Sequence, residues 1–511
     1  MGWCTLGAMV CGMKGRAAAL LLALAWTPAC ASGAGFGEDS TVGSTGGTGS
    51  SSAAETTGEP PGTDTTDGPD ATTSTSAPPT TGEDTLGDSS TSGSSSGDET
   101  TTGDDLPHPE LYPTDRTHSP ITAYVADSIR AIAAAPGGAD KDPAVFAKIG
   151  GGSTANVNFM QCFAVEPAIQ DLPPAASLQA TIEHFNSVDL GGVTAFNRLS
   201  VAAMPGFSSD DLVSGAPTPV NAEVEAIKPR FAQVLVGTHD LEKDQPGQLW
   251  SFAENLLTMV DALTVNGVVP ILSTIPQRTD LPAKDIFTPR YNAVLRAVAQ
   301  GRQIPLVDLN LALAGLPMAG VVDNGELSVF VSAMVDRPCH FGELAITNGY
   351  NVRNLESLRS LDRARQVVVE QVAELDTPGP RLEGVGTMAD PIEIPSLPFV
   401  DLRSTADSPS NVINNYLGAC DEDKDESGPE RFYRLTVVAP VDIRVMVFDR
   451  DEVDVDVHVL SDLAPENCLK RNDREVTGPL PPGTYYIAVD SFAGDVPGGA
   501  AGEYALVVMA D

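Results

Sequence analysis

The chain has 511 residues, with 69 Asp and Glu against 30 Lys and Arg and a formal net charge of −39. That length allows two or three domains with a substantial core, and that charge argues against nucleic acid and anionic membrane surfaces as partners. Aromatic residues are only 5% of the chain, as expected if part of it never folds.

Lys14 and Arg16 precede the apolar run AAALLLALAW, and Thr27, Pro28, Ala29 and Cys30 follow it. This order reads as an export signal, residues 1–30, because the run is too short for a permanent transmembrane helix. A start at Met13 would leave an ordinary short signal and discard Cys4 and Cys11. Two processing routes stay open. A Cys just after the apolar run resembles a bacterial lipoprotein box, which makes Cys30 the lipid attachment site and a lipid anchor the only membrane contact. Simple cleavage near Ala31 is the other. The corresponding locations are the outer membrane or cell surface for the lipoprotein, and the periplasm or exterior otherwise.

Residues 31–112 read as a tether. From Ser32 to Asp105 the composition is Gly, Ser, Thr, Pro, Asp and Glu, without one Lys or Arg. Such a segment cannot bury enough apolar surface to offset its ordering entropy, so a disordered, self-repelling spacer is expected.

Folded structure is expected from near Leu111, with one domain over 113–375. SPITAYVADSIRAIAAAPGG reads as a helix capped by Ser119, with Pro120 at its first position and Pro136-Gly137-Gly138 at its end. Ile121, Tyr124, Val125, Ile129 and Ile132 fall on one face. Beyond it, strands and helices alternate. FAQVLVG (231–237) precedes a helix carrying Leu249, Phe252, Leu256, Val260 and Leu263, closed by Asn266-Gly267. VVPILS (268–273) precedes a helix opened by Thr288-Pro289, and IPLVDL follows. Near-continuous apolar strands alternating with amphipathic helices predict a parallel sheet covered on both faces. Working groups in such sheets lie on loops at the carboxyl ends of the strands, where KIGGGSTANV (148–157) and VGTHD sit.

A phosphate loop of the Walker type needs a Lys beside its Ser or Thr, and GGGST has none. A dinucleotide fingerprint needs a further glycine where Ser153, Thr154, Ala155 and Asn156 stand. No cofactor is expected.

FAKIGGGSTAN, NRLSVAAMPGFSSDDL, VLVGTHDL, VVPILSTIPQR, and VVDNGELS followed by GYNVRNL resemble, in this order, the SGNH (GDSL-type) hydrolase family. The resemblance implies a flavodoxin-like three-layer α/β/α sandwich, ester hydrolysis, and an acylated carbohydrate or lipid as ligand. It also implies a nucleophilic Ser, an oxyanion Gly, an oxyanion Asn and an Asp-x-x-His pair. Aligned without gaps, this chain has Gly152 at the nucleophile, His239 at the oxyanion Asn and Glu326 at the base, while Gly206 and Asp323 keep the family's type.

Those departures have chemical consequences. Gly152 has no hydroxyl to attack with. Ser153 is one residue on, and only a rearranged glycine turn would present it. A Glu, with a reference pKa of about 4.3, is a poor proton acceptor from a serine hydroxyl at neutral pH. Asp323 beside Glu326 would set two carboxylates together with no imidazole to hold, whereas His239 can still donate a hydrogen bond. Of the other histidines, His108 and His118 lie at the tether's end, His184 on a helix surface or cap, and His458 in the C-terminal segment. His340, in DRPCHFG with Asp336 nearby, is the one candidate base, its alternative being a loop histidine beside a disulfide. The glycine turn thus reads as a nucleophile site without its nucleophile. Binding or scaffold work is the first expectation, and an active esterase using Ser153 the alternative.

After a linker, 376–385, residues 386–511 alternate apolar and polar with turns between, predicting a separate all-β antiparallel sandwich. PPGTYYIAVDSF and DVDVHVL resemble the bacterial pre-peptidase C-terminal domain. The acidic run DEDKDESG (421–428) lacks EF-hand spacing and reads as a solvated loop. Four cysteines remain beyond the signal, two per domain, so an oxidising compartment predicts Cys162–Cys339 and Cys420–Cys468.

Overall fold

A computed structural model describes residues 109–165, 169–243, 247–420, 424–450, 452–493 and 500–511. The signal segment with Cys30, the tether up to residue 108, and Asp421, Glu422 and Asp423 of the acidic run lie outside the described residues.

Four strands, β1 (Asp142–Gly150), β2 (Pro229–Leu235), β3 (Val269–Ser273) and β4 (Leu306–Val307), form a parallel sheet in that order. Beyond β1 the flavodoxin-like pattern would place another strand. Here a single β-bridge between Gly150 and Ala203 stands in its place, with the Gly150 amide donating to the Ala202 carbonyl at 2.9 Å. The helices in chain order are α1 (Ala123–Ala133), α2 (Gly152–Ala155), α3 (Ala176–Asn186), α4 (Ser209–Val213), α5 (Pro219–Ile227) and α6 (Thr238–Lys243), then α7 (Gln248–Val265), α8 (Pro282–Asp285), α9 (Thr288–Gly301), α10 (Leu309–Leu313) and α11 (Gly349–Val368). Helices α1, α3 and α11 pack together as one layer, and α4, α5, α7 and α9 as the other. The strands between them are buried on both faces, which is why they read as unbroken apolar runs.

The first helix starts later than its sequence suggests. Thr122, not Ser119, is its N-cap: the Thr122 hydroxyl accepts from the Val125 amide and donates to Glu110 at 2.6 Å. Ser119 instead accepts from the Leu306 amide at 2.9 Å, tying the entering chain to the edge strand β4. The fold also begins inside the segment that composition assigns to the tether. Glu110 and Tyr112 are buried, and the Tyr112 hydroxyl donates to the Ile304 carbonyl at 3.0 Å. His118 likewise belongs to the fold, bonded to Glu356 at 2.8 Å.

A short hairpin, β5 (Val331–Ser332) and β6 (Val335–Asp336), precedes α11. The remaining strands are β7 (Ile392–Ile394), β8 (Phe399–Ser404), β9 (Glu430–Val437), β10 (Val441–Phe448), β11 (Val455–Leu460), β12 (Cys468–Asn472), β13 (Glu475–Leu480), β14 (Gly483–Ser491) and β15 (Glu503–Ala510). They make two facing sheets, β13-β10-β15-β8 and β12-β11-β14-β9-β7. All pairings are antiparallel except β7 with β9, which run parallel at the sheet's edge.

The first of these sheets is apolar on both faces, because it serves two cores. Ile443, Val445, Val447, Leu506 and Val508 point into the sandwich, whereas Met446, Phe448, Ala505 and Val507 join the α/β core. Trp250 packs against Phe448 with ring centroids 5.5 Å apart and the planes tilted, and donates to the Val447 carbonyl at 2.9 Å. Arg302 donates to both Asp261 and Glu503 at the same seam. Both cysteine pairs are bonded as expected, Cys162–Cys339 and Cys420–Cys468.

Candidate active-site cleft

Strand β1 ends at Gly150, paired in register with Leu235 at the end of β2. The chain then turns so tightly that a Cβ at Gly150 would meet the Leu235 carbonyl oxygen at 2.1 Å, with φ at +151°; only glycine fits. The turn delivers Gly151, Gly152 and Ser153 to the mouth of a cleft of about 220 Å³. Its other walls are Pro205, Gly206 and Phe207; Gly237, His239 and Glu242 after β2; Pro276 after β3; and Asn324 to Leu327. These loops lie at the carboxyl edge of the parallel sheet, where the topology concentrates functional groups.

Gly152 faces Glu326. A Cβ on Gly152 would stand 3.8 Å from Glu326 Oε1, in ordinary contact. Glu326 is fixed from behind: Oε2 accepts from the Tyr350 hydroxyl at 2.6 Å and from Asn156 Nδ2 at 3.1 Å. Burial and the Glu326 carboxylate push the Tyr350 phenol well above its usual range, so it stays a donor. Beneath the turn, Arg353 donates to Thr154 Oγ1 at 2.8 Å and lies over the Phe159 ring, 3.8 Å from its centroid. Burial lowers its pKa to about 10, which still leaves it charged.

His239 stands on the opposite wall against Gly206. A Cβ at Gly206 would come within 3.4 Å of His239 Nε2, and φ there is +90°. His239 Nδ1 is 2.5 Å from Glu242 Oε2, and Glu242 Oε1 is bound in turn by Arg278. The Arg278 side chain is 2% exposed and grips Asp280 with two hydrogen bonds, at 2.8 and 2.7 Å. An ordered chain of four side chains therefore ends on the imidazole.

The cleft gathers Gly152, Ser153, Gly206, His239 and Glu326. Among the described residues the Ser153 hydroxyl has no hydrogen bond, while its carbonyl lies 3.3 Å from the Tyr350 hydroxyl. Asp323 is exposed and lies outside the cleft lining, so it forms no carboxylate pair with Glu326 there. His340 is also elsewhere. Its backbone bridges Gln170 beside Cys339, its ring is 5.9 Å from Phe330, and its buried Nε2 has no partner. Asp336 accepts from Asn158 rather than holding His340. His184 bonds the Pro143 carbonyl at 2.8 Å near the end of its helix.

Glu242, Arg278, Tyr350 and Asn156 had no role in the sequence reading. Only Glu242 left a local sign, three residues after His239 on a short helix. The other contacts join different loops and leave none. Among the described residues no group of three or more His, Cys, Asp or Glu is arranged to hold a metal, and no helix is long and apolar enough to cross a membrane.

No family model and no curated protein matches this chain. Solved structures do, at low identity. A GDSL-like lipase from Bacteroides thetaiotaomicron is 16% identical, covering 47% of this chain and 98% of its own, with a TM-score of 0.28. An acetylxylan esterase from Geobacillus stearothermophilus is 15% identical over 43% of this chain and 95% of its own, with a TM-score of 0.27. The pre-peptidase C-terminal domain of a collagenase from Bacillus anthracis is 17% identical over 23% of this chain and 91% of its own, with a TM-score of 0.16.

Proposed function

We propose that this is an exported, surface-anchored protein whose hydrolase-like cleft binds a carbohydrate or lipid ligand without running an acyl-enzyme cycle. The observation that carries this reading is the pairing of Gly152 with Glu326. The position facing the cleft's carboxylate has no hydroxyl, and the carboxylate itself is held by Tyr350 and Asn156 rather than by a group that would make it a base. The alternative nucleophile, Ser153, has no base hydrogen-bonded to its hydroxyl among the described residues.

A panel of short acyl esters and acetylated sugars on the purified protein tests the proposal. Expected is turnover no more than roughly 10³–10⁴-fold above the uncatalysed rate, the residue left when triad members are missing. Rapid hydrolysis that disappears in Ser153→Ala would overturn it in favour of an active esterase.

A further inference from the structure

The Glu242–His239 contact fixes which way the imidazole is protonated. A carboxylate oxygen 2.5 Å from Nδ1 requires the proton on that nitrogen. In the neutral ring Nε2 then carries a lone pair, and Nε2 is the ring nitrogen beside Gly206, on a side chain that lines the cleft. With the ring neutral, the oxyanion position presents an acceptor, not the donor that the sequence suggested. On the facing wall Glu326 Oε1 is a second acceptor, since both hydrogen bonds to that carboxylate land on Oε2.

Charge points the same way. Arg278 is matched by Asp280, and Lys243 lies beside Ser208 and its partner Asp211. Glu242 shares Arg278 with Asp280, and Glu326 lies near the buried Arg353, so around the cleft the four carboxylates Glu242, Glu326, Asp280 and Asp211 face three cations. Two acceptors and an excess of negative charge in a partly dehydrated cleft select a ligand that brings both protons and positive charge. A neutral polyol supplies the protons alone, and an acyl oxyanion supplies neither.

We propose that Glu242, held by Arg278, sets His239 as an acceptor so that the cleft reads a primary ammonium group between His239 Nε2 and Glu326 Oε1. This rests on the binding reading above and names the group bound. An unacylated amino sugar has the right chemistry. Glu242 is a positioning residue in this scheme, because it acts only through His239.

The experiment compares glucosamine, N-acetylglucosamine and glucose by titration calorimetry on the full chain at neutral pH. Glucosamine should bind about tenfold or more tighter than either neutral sugar, about 1.4 kcal/mol. Glu326→Gln should abolish that preference. Glu242→Gln gives the specific readout. Its amide oxygen keeps Arg278 while its NH₂ donates to Nδ1, moving the ring proton to Nε2 and turning the acceptor into a donor. The preference for glucosamine should fall about tenfold with the melting temperature unchanged, and ¹⁵N shifts of His239 should report the exchanged tautomer. Equal affinity for all three sugars, including no binding by any, overturns the proposal. So does tighter binding of N-acetylglucosamine, or a Glu242→Gln protein that exchanges tautomer yet keeps its preference. Ester turnover on the same preparation reports separately on the underlying reading.

Discussion

Glu426 belongs to the acidic run that reads as solvated, yet it is 1% exposed. It lies in the loop before β9 and reaches, through Arg471, the sheet β12-β11-β14-β9-β7, where Glu430, Asp490 and Asp456 stand side by side on three neighbouring strands. Arg471 donates to Glu426 at 3.0 Å and also binds Asp456. Tyr416 donates to Asp490 at 2.8 Å while stacked on His458, 3.6 Å between centroids. Four buried carboxyls thus share few cations. Burial, then the neighbouring Asp456, pushes Glu426 up to about 8, and burial raises Asp456, Asp490 and Glu430 too. Between the unfolded value near 4.5 and about 8, the folded chain holds a proton that the unfolded chain has released. Stability should therefore be greatest at the acid end of that window and fall as pH rises through it. Burial and Arg471 hold His458 well below its usual 6.5, which works oppositely but only under that pH. From pH about 6.5 to 8 the carboxyl effect stands alone, and one proton over that interval is worth about 2 kcal/mol. Urea unfolding followed by circular dichroism at both pH values measures it. Glu426→Gln keeps an acceptor for Arg471 and cannot titrate, so its stability relative to the parent should rise by about that amount between pH 6.5 and pH 8. A flat or rising parent curve, or a variant that keeps the parent's slope, would refute the reasoning.

Three further outcomes are expected. Gly152→Ser should fold with a melting temperature close to the parent's, because its Cβ meets only Glu326 Oε1 and Pro205 Cα, both at 3.8 Å; it should gain no ester turnover over the parent, since the ionisable group facing it is still Glu326. Gly301→Ala should destabilise the chain by roughly 1–3 kcal/mol in thermal melts, because its Cβ would stand 2.3 Å from Leu402 Cβ where α9 meets β8. Incorporation of a fatty-acid analogue in cells should be lost in Cys30→Ala, and unchanged labelling would refute lipid attachment.

Local pattern carried much of the fold because local pattern reports which face of an element is buried. The period of Leu249, Phe252, Leu256, Val260 and Leu263 marks one helix stripe, and all five are buried in α7. The glycine turn after β1 was legible because only glycine tolerates the approach of the Leu235 carbonyl. The cysteine pairs followed from two thiols in each domain. The boundary at Glu110 was not legible, since its burial depends on Thr122 and on Gln303, whose side chain accepts from its amide 193 residues away.

Sequence by itself determined the strand–turn arrangement and the absence of a hydroxyl at Gly152, because both are properties of single residues and their nearest neighbours. Only the tertiary structure decided what surrounds that position. Asp323 and His340 resemble triad members in sequence, but packing leaves the first exposed and buries the second's Nε2 outside the cleft. Glu242, Arg278 and Asp280, from the loops after β2 and β3, converge to set the proton on His239. Tyr350 reaches Glu326 from the start of α11. The alternation of β10 and β15 could not say that their second apolar face covers an α/β core rather than solvent. Periodicity encodes the orientation of a side chain relative to its own backbone, whereas hydrogen-bond and charge partners are set by how distant segments pack.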